Sequence, residues 1–197
     1  MFTRIMNLKP IYHFGLTAVA FGAFQAVKSL LDESYAASKY PVDYATGQLA
    51  FSAEKLEGYY AVMSEAGTLG TYWKTQFIDF GFIASVIALS LFLGTLVARI
   101  GKAGSWGRRV GGLAALSGIA GASFDALENL ISFVMLAKPD AISQAVAMAY
   151  SSAAAAKFGL LTLAMALVIV TVVLGGISRL RGWFGLSRRG AVRSSAQ

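Results

Sequence analysis

Two carboxylates and a carboxamide stand at Asp125, Glu128 and Asn129, inside a stretch otherwise built of Gly, Ala, Leu, Ile and Phe. Helical spacing of i, i+3 and i+4 puts all three on one face. The chemistry open to such a face is proton transfer. One acid, kept protonated by burial, donates while its neighbour accepts as a carboxylate. Asp125 and Glu128 are therefore the candidate catalytic pair, and Asn129 can orient a substrate or hold one carboxylate. An acid inside a membrane costs roughly 2.5–3.5 kcal/mol on insertion scales and faces a bundle interior or a water-filled cavity. Two on one face demand a cation, a shared proton, a metal or water.

Other polar residues lie at matching depth in other apolar stretches: Asp79, Lys157 and Gln25, with Lys28 nearby. Together with Asp125, Glu128 and Asn129, the first three make the expected polar pocket. Lys157 has two readings: an ion pair with the Asp125/Glu128 face, or a side chain snorkelling to the headgroups. Asp79 either joins the pocket or caps its own helix, and the acid face can equally serve as interhelix glue.

Other chemistries find no support. The chain has no cysteine and one histidine, His13, which reads as an interface or core residue. There is no nucleophile elbow, phosphate loop, dinucleotide fingerprint or zinc-protease motif. Ser123 and Ser132 flank the acids, but no histidine is near in sequence to activate either. A carboxylate site of Asp79, Asp125 and Glu128 would suit a hard cation, yet the expectation is no metal and no cofactor. The net charge of +7 is spread over segment ends, which reads as topology and not as a nucleic-acid surface.

Four apolar stretches must position these residues. Charged residues make up 14% of the chain, against about 25% in a soluble domain, which points to a membrane bundle. Spans are expected over 10–31, 77–98, 110–137 and 152–177, the last within an apolar run from 141. The class is all-α: a four-transmembrane-helix bundle in one membrane domain. Span one also has the basic start and small residues of a cleaved leader, but its length, Gln25 and Lys28 favour a retained helix. Arg99, Lys102, Arg108 and Arg109 fill one loop, and Arg179, Arg181, Arg188, Arg189 and Arg193 follow span four. The segment 32–76 holds Asp32, Glu33, Asp43, Glu54, Glu57 and Glu65 against three lysines. The positive-inside rule then puts both termini in the cytoplasm. Trp73, Trp106 and Trp183 fall beside span ends, as interfacial anchors do.

Ser52 can cap an amphipathic helix running through Met63, with Gly67 as its stop. Leu49, Leu56, Tyr60 and Met63 share one stripe of it. It either lies on the outer surface or bundle mouth, or acts as a lid with Tyr59 and Tyr60 on a ligand. Gly111, Gly118 and Gly121, with Ala114, Ala115 and Ala122, leave half of span three slim enough for close helix packing. The Ser/Arg-rich tail at 187–197 is expected to be disordered.

An Asp in span two followed by Asp-x-x-Glu-Asn in span three resembles a group of small bacterial four-helix membrane proteins of no assigned activity. The likeness covers roughly 67–136 and rests on Asp79, Asp125, Glu128 and Asn129. It implies a bacterial inner-membrane setting. The leading expectation is a pocket, open to the outer leaflet or periplasm, that binds an amphiphilic or lipid-like molecule, with membrane lipids as partners. The alternatives are a proton-coupled transporter acting as a homo-oligomer, and an assembly subunit whose acids pair with another protein.

Overall fold

The computed structural model describes residues 2–101 and 104–194, with side chains as far as 177 in the last helix. Among them there is no strand. The element order is α1 (Phe2–Met6), α2 (Pro10–Ala37), α3 (Tyr44–Gln48), α4 (Ala53–Glu65), α5 (Leu69–Ala98), α6 (Trp106–Leu136) and α7 (Gln144–Ser194). Helices α2, α5, α6 and the Gln144–Ile177 part of α7 are long and apolar enough to cross a membrane. The all-α four-helix bundle is thus the observed fold.

Each long helix outruns its expected span because a local signal carries it further. Pro10 starts α2 at a position where no amide donor is needed. The same helix continues to Ala37, and the chain then breaks at Lys39, which adopts a φ of 54°. Ser105 caps α6 by accepting from the Arg108 amide. Ser143 caps α7 in the same way, through the Val146 amide, so that helix begins at Gln144 and not near 152. No proline follows Pro139, and the backbone of α7 is helical to Ser194, through most of the tail expected to be disordered. Lys102, the basic side chains at 179–193 and Trp183 lie outside the described residues.

The long helices pack in chain order: α2 on α5, α5 on α6, α6 on α7. Helices α2 and α7 stand on the flanks and are not closely packed on each other. Burial follows this order. In its most apolar window α6 is 44% buried, against 17% for α2 and for α7. The outward faces of the flanking helices carry Ile11, Phe14, Val19 and Phe21, and Met165, Ile169 and Val173. A membrane would cover these.

Small residues set the closeness of the central pair. A Cβ on Gly94 would lie 2.6 Å from that of Ala115, and one on Gly111 would lie 2.7 Å from the Ala98 backbone. A Cβ on Gly118 would strike Ser90, and one on Gly121 would meet Leu161 of α7 at 2.9 Å. The slim half of α6 is therefore where its neighbours come closest, as small-residue packing in membranes allows.

The two ends differ. At one end His13, fully buried, ties α2 to α5. Arg99 donates to its Nδ1 (3.0 Å) and to the Leu8 carbonyl (2.8 Å). The proton is then on Nε2, which donates to the Phe92 carbonyl at 3.0 Å. His13 is a core histidine, fixed between helices. At the other end α4 caps the bundle. Ser52 accepts from the Lys55 amide, and Gly67 ends the helix region at a φ of 67°. Leu56, Tyr60 and Met63 are buried against Tyr72, Met135 and Tyr150, while Leu49 stays outside this core. Glu57 accepts from the Ile142 amide at 2.7 Å, and Gln144 accepts from the Ala53 amide at 2.9 Å. The amphipathic helix therefore sits on the bundle mouth, stitched to the start of α7.

The glycine contacts generate a test. Gly111→Leu forces apart two backbones and should cost about 1–3 kcal/mol or more. Gly159→Ala, on a face with open space around it, should leave stability unchanged or raise it by up to about 1 kcal/mol. Reversible unfolding in mixed micelles measures both; equal effects would contradict the close α5–α6 approach.

Candidate functional site

The polar residues converge at the α3–α4 end, where four elements bring groups inward. Asp79 lies on α5, Asp125, Glu128 and Asn129 on α6, and Lys157 on α7; Gln48 comes from the short α3. All but Gln48 are buried, with Glu128 and Asn129 each 1% exposed and Asp125 and Lys157 each 4%.

Lys157 is the hub. Its ammonium donates to Asp125 Oδ1 at 2.9 Å and to Gln48 Oε1 at 3.0 Å, and it pairs closely with Glu128 Oε2. The Lys157 Nζ also lies 4.9 Å from the Phe158 ring centroid. The ion-pair reading holds for this side chain; it does not reach for the headgroups. A second link joins α5 to α6, where Asn129 Nδ2 donates to Asp79 Oδ2 at 2.6 Å. Asp79 sits in the third turn of α5 and caps nothing. Tyr150 lies beside the Glu128 carboxylate and Tyr60 beside Ser132.

Beside this network is a cavity of about 240 Å³. It occupies the gap between α2 and α7, with α5 and Asp125 of α6 behind it. Its polar wall is Asp79, Asp125 and Lys157 together with Gln76, and the Lys28–Asp32 pair stands at its edge, 2.5 Å apart. Glu128 and Asn129 do not line it. They lie behind, holding Lys157 and Asp79 in place. Gln25 is exposed on α2 and is not part of the cavity wall. The spacing puts Gln25 close to the face of Lys28 and Asp32, but the α2 part of the wall runs only from Lys28 to Tyr35, and Gln25 lies a turn before it.

The roof is the larger surprise. Tyr59 and Tyr60 of α4 do not line the cavity, so the lid reading fails for them. The roof comes from the preceding loop and α3, through Tyr40, Tyr44, Gly47 and Gln48. Asp43 caps α3 by accepting from the Thr46 amide and hydroxyl at 3.0 and 2.7 Å, which holds its carboxyl below the usual range. Gly47 is required by a close approach: a Cβ there would lie 2.7 Å from the Tyr40 ring. The rings of Tyr35 and Tyr44 stack with centroids 3.7 Å apart, and those of Tyr40 and Tyr72 are 5.1 Å apart. Burial pushes the Tyr40 and Tyr44 hydroxyls well above their ordinary pKa, so both stay neutral. The only sequence signal for this roof was the density of tyrosines between 35 and 44.

Among the described residues no group of three or more His, Cys, Asp or Glu has an arrangement that could hold a metal ion. Lys157 occupies the space between Asp125 and Glu128 that a cation would need. Comparison with protein-family models, curated proteins and solved structures found no match.

The hub predicts strong coupling. Lys157→Met strands two buried acids and should destabilise the protein by roughly 3–5 kcal/mol. Adding Glu128→Gln should restore part of that loss. Additive losses in this double-mutant cycle would mean that the pair contributes no coupling energy.

Proposed function

We propose that this chain is an integral membrane protein whose cavity binds the head of an amphiphilic, lipid-like molecule, with the apolar body held between α2 and α7. One observation carries the reading: buried acids line a cavity in the gap between two helices that are not closely packed on each other. Acids acting as glue alone would meet a neighbouring helix and not open space. At about 240 Å³ the cavity is smaller than the ~300–1,000 Å³ of a typical ligand pocket. It suits a head group with part of a chain, the remainder lying in lipid. The close packing of α5 on α6 at Gly94, Gly111 and Gly118 argues against a path across the bilayer through one chain. If a proton moves during the ligand's stay, Asp79 and Asp125 are the acids with access to it.

Three dodecyl probes carrying a tail diazirine, with ammonium, carboxylate or maltoside heads, test this reading. At least one should label Tyr35, Tyr44, Phe158 or Leu161, mapped by peptide mass spectrometry. Adducts from all three spread only over the outward faces of α2 and α7 would refute the cavity.

In the proposed setting, a bacterial inner membrane, both termini are cytoplasmic and the α3–α4 end faces the periplasm. The support is the basic loop after α5 set against the acidic segment at 32–65. A single cysteine replacing Ser52 should react with an impermeant thiol reagent in intact spheroplasts, and one replacing Ser105 should not. The reverse pattern would invert the orientation.

A further inference from the structure

The charge balance around the cavity is uneven. Three carboxylates, Asp79, Asp125 and Glu128, are buried with one ammonium, Lys157, and that ammonium is already committed to Asp125, Glu128 and Gln48. The other lysine of the wall, Lys28, is paired with Asp32 at 2.5 Å. An anionic head would therefore find no free cation among the described residues of the wall.

Asp79 is the opposite case. It is 9% exposed and lines the cavity. Its Oδ2 accepts from the neutral carboxamide of Asn129, and its Oδ1 has no hydrogen-bond or ion-pair partner among the described residues. A buried carboxylate with an open oxygen is complete only when a donor or a cation reaches it. Much of the remaining lining is aromatic, alongside Leu31, Thr75 and Leu161. Tyr35, Tyr40, Tyr44, Tyr72 and Phe82 surround the same space. Aromatic rings attract ammonium groups through their quadrupole, and most strongly where water is excluded.

We propose that the cavity selects a cationic head, an alkylammonium or quaternary ammonium, with Asp79 as its counter-ion and the tyrosines as its cage. This rests on the amphiphile reading and names the chemical class of its ligand. Asn129 then acts as a positioning residue, holding Asp79 toward the cavity. Lys157 takes up the other two acids, so the ligand's charge is matched by a single carboxylate. The head is carried either by an amino-phospholipid or by a free amphiphilic amine.

The three diazirine probes decide it. In the wild-type protein the ammonium probe should label the cavity at about tenfold lower concentration than the carboxylate or maltoside probe. Unlabelled dodecyltrimethylammonium should displace it, and dodecanoate should not. Asp79→Asn should abolish the preference for the ammonium head. Tyr44→Leu should weaken ammonium labelling more than Tyr44→Phe, which keeps the ring. Competition by phosphatidylethanolamine but not phosphatidylglycerol in nanodiscs would identify the lipid source; competition by dodecylammonium alone would identify the free amine.

Cavity labelling that is equal for all three heads in the wild type would overturn the cationic head and leave the amphiphile reading standing. Absence of cavity labelling by any probe would remove both. The wild-type ranking needs no variant, so a failure of Asp79→Asn to fold leaves the test intact.

Discussion

One ammonium among three buried carboxylates organises this end of the molecule. Lys157 gathers Asp125 and Glu128 of α6 and Gln48 of α3 onto α7. Charges this deep are tolerable only when each has a partner. The positions of α3, α6 and α7 are consequently coupled: a shift of any one strands a charge in an apolar interior. The same network divides the acids by role. Glu128 is taken up by the lysine, Asp125 is shared between the lysine and the cavity wall, and Asp79 meets only the Asn129 amide.

That division needs rigid helices behind it. Close contacts at Gly94, Gly111 and Gly118 fix α5 on α6, and Gly121 admits Leu161 of α7. Two consequences follow. In the half of the bundle away from α3 the α5 and α6 backbones are in close contact, and the polar half is held at a fixed spacing. Because α2 packs on α5 and α7 on α6, without packing closely on each other, the polar half keeps a gap between α2 and α7. A solvent of lipid tails makes such a gap inexpensive, since apolar helix faces lose nothing by meeting apolar chains.

The segment between α2 and α5 completes the enclosure by two different means. Helix α4 is held by burial of Leu56, Tyr60 and Met63, an apolar stripe on the bundle mouth. Helix α3, only five residues long, is held by its Asp43 cap, by the Tyr35–Tyr44 stack and by the Gln48 bond to Lys157. A helix of this length has no stability of its own. Its place over the cavity depends on those few contacts.

Local pattern determined much of this. Apolar length defined four helices, Ser52 and Gly67 bounded α4, and the i, i+3, i+4 spacing put Asp125, Glu128 and Asn129 on one face. Those are properties of a single helix, and periodicity reports them directly. Small residues announced the close packing of α6, though not which neighbour each would touch. Tertiary structure decided the rest. Whether Lys157 turned inward depended on how α6 and α7 meet, which is a matter between helices. That Glu128 and Asn129 stand behind the cavity while Asp79 lines it follows from helix rotation about each axis, and Gln25 is left out because the cavity ends a turn short of it; the sequence supplies neither that angle nor that limit. The tyrosine lining was the least legible part. Its residues are spread over α2, a loop, α3 and α5, and only folding brings those rings around one space.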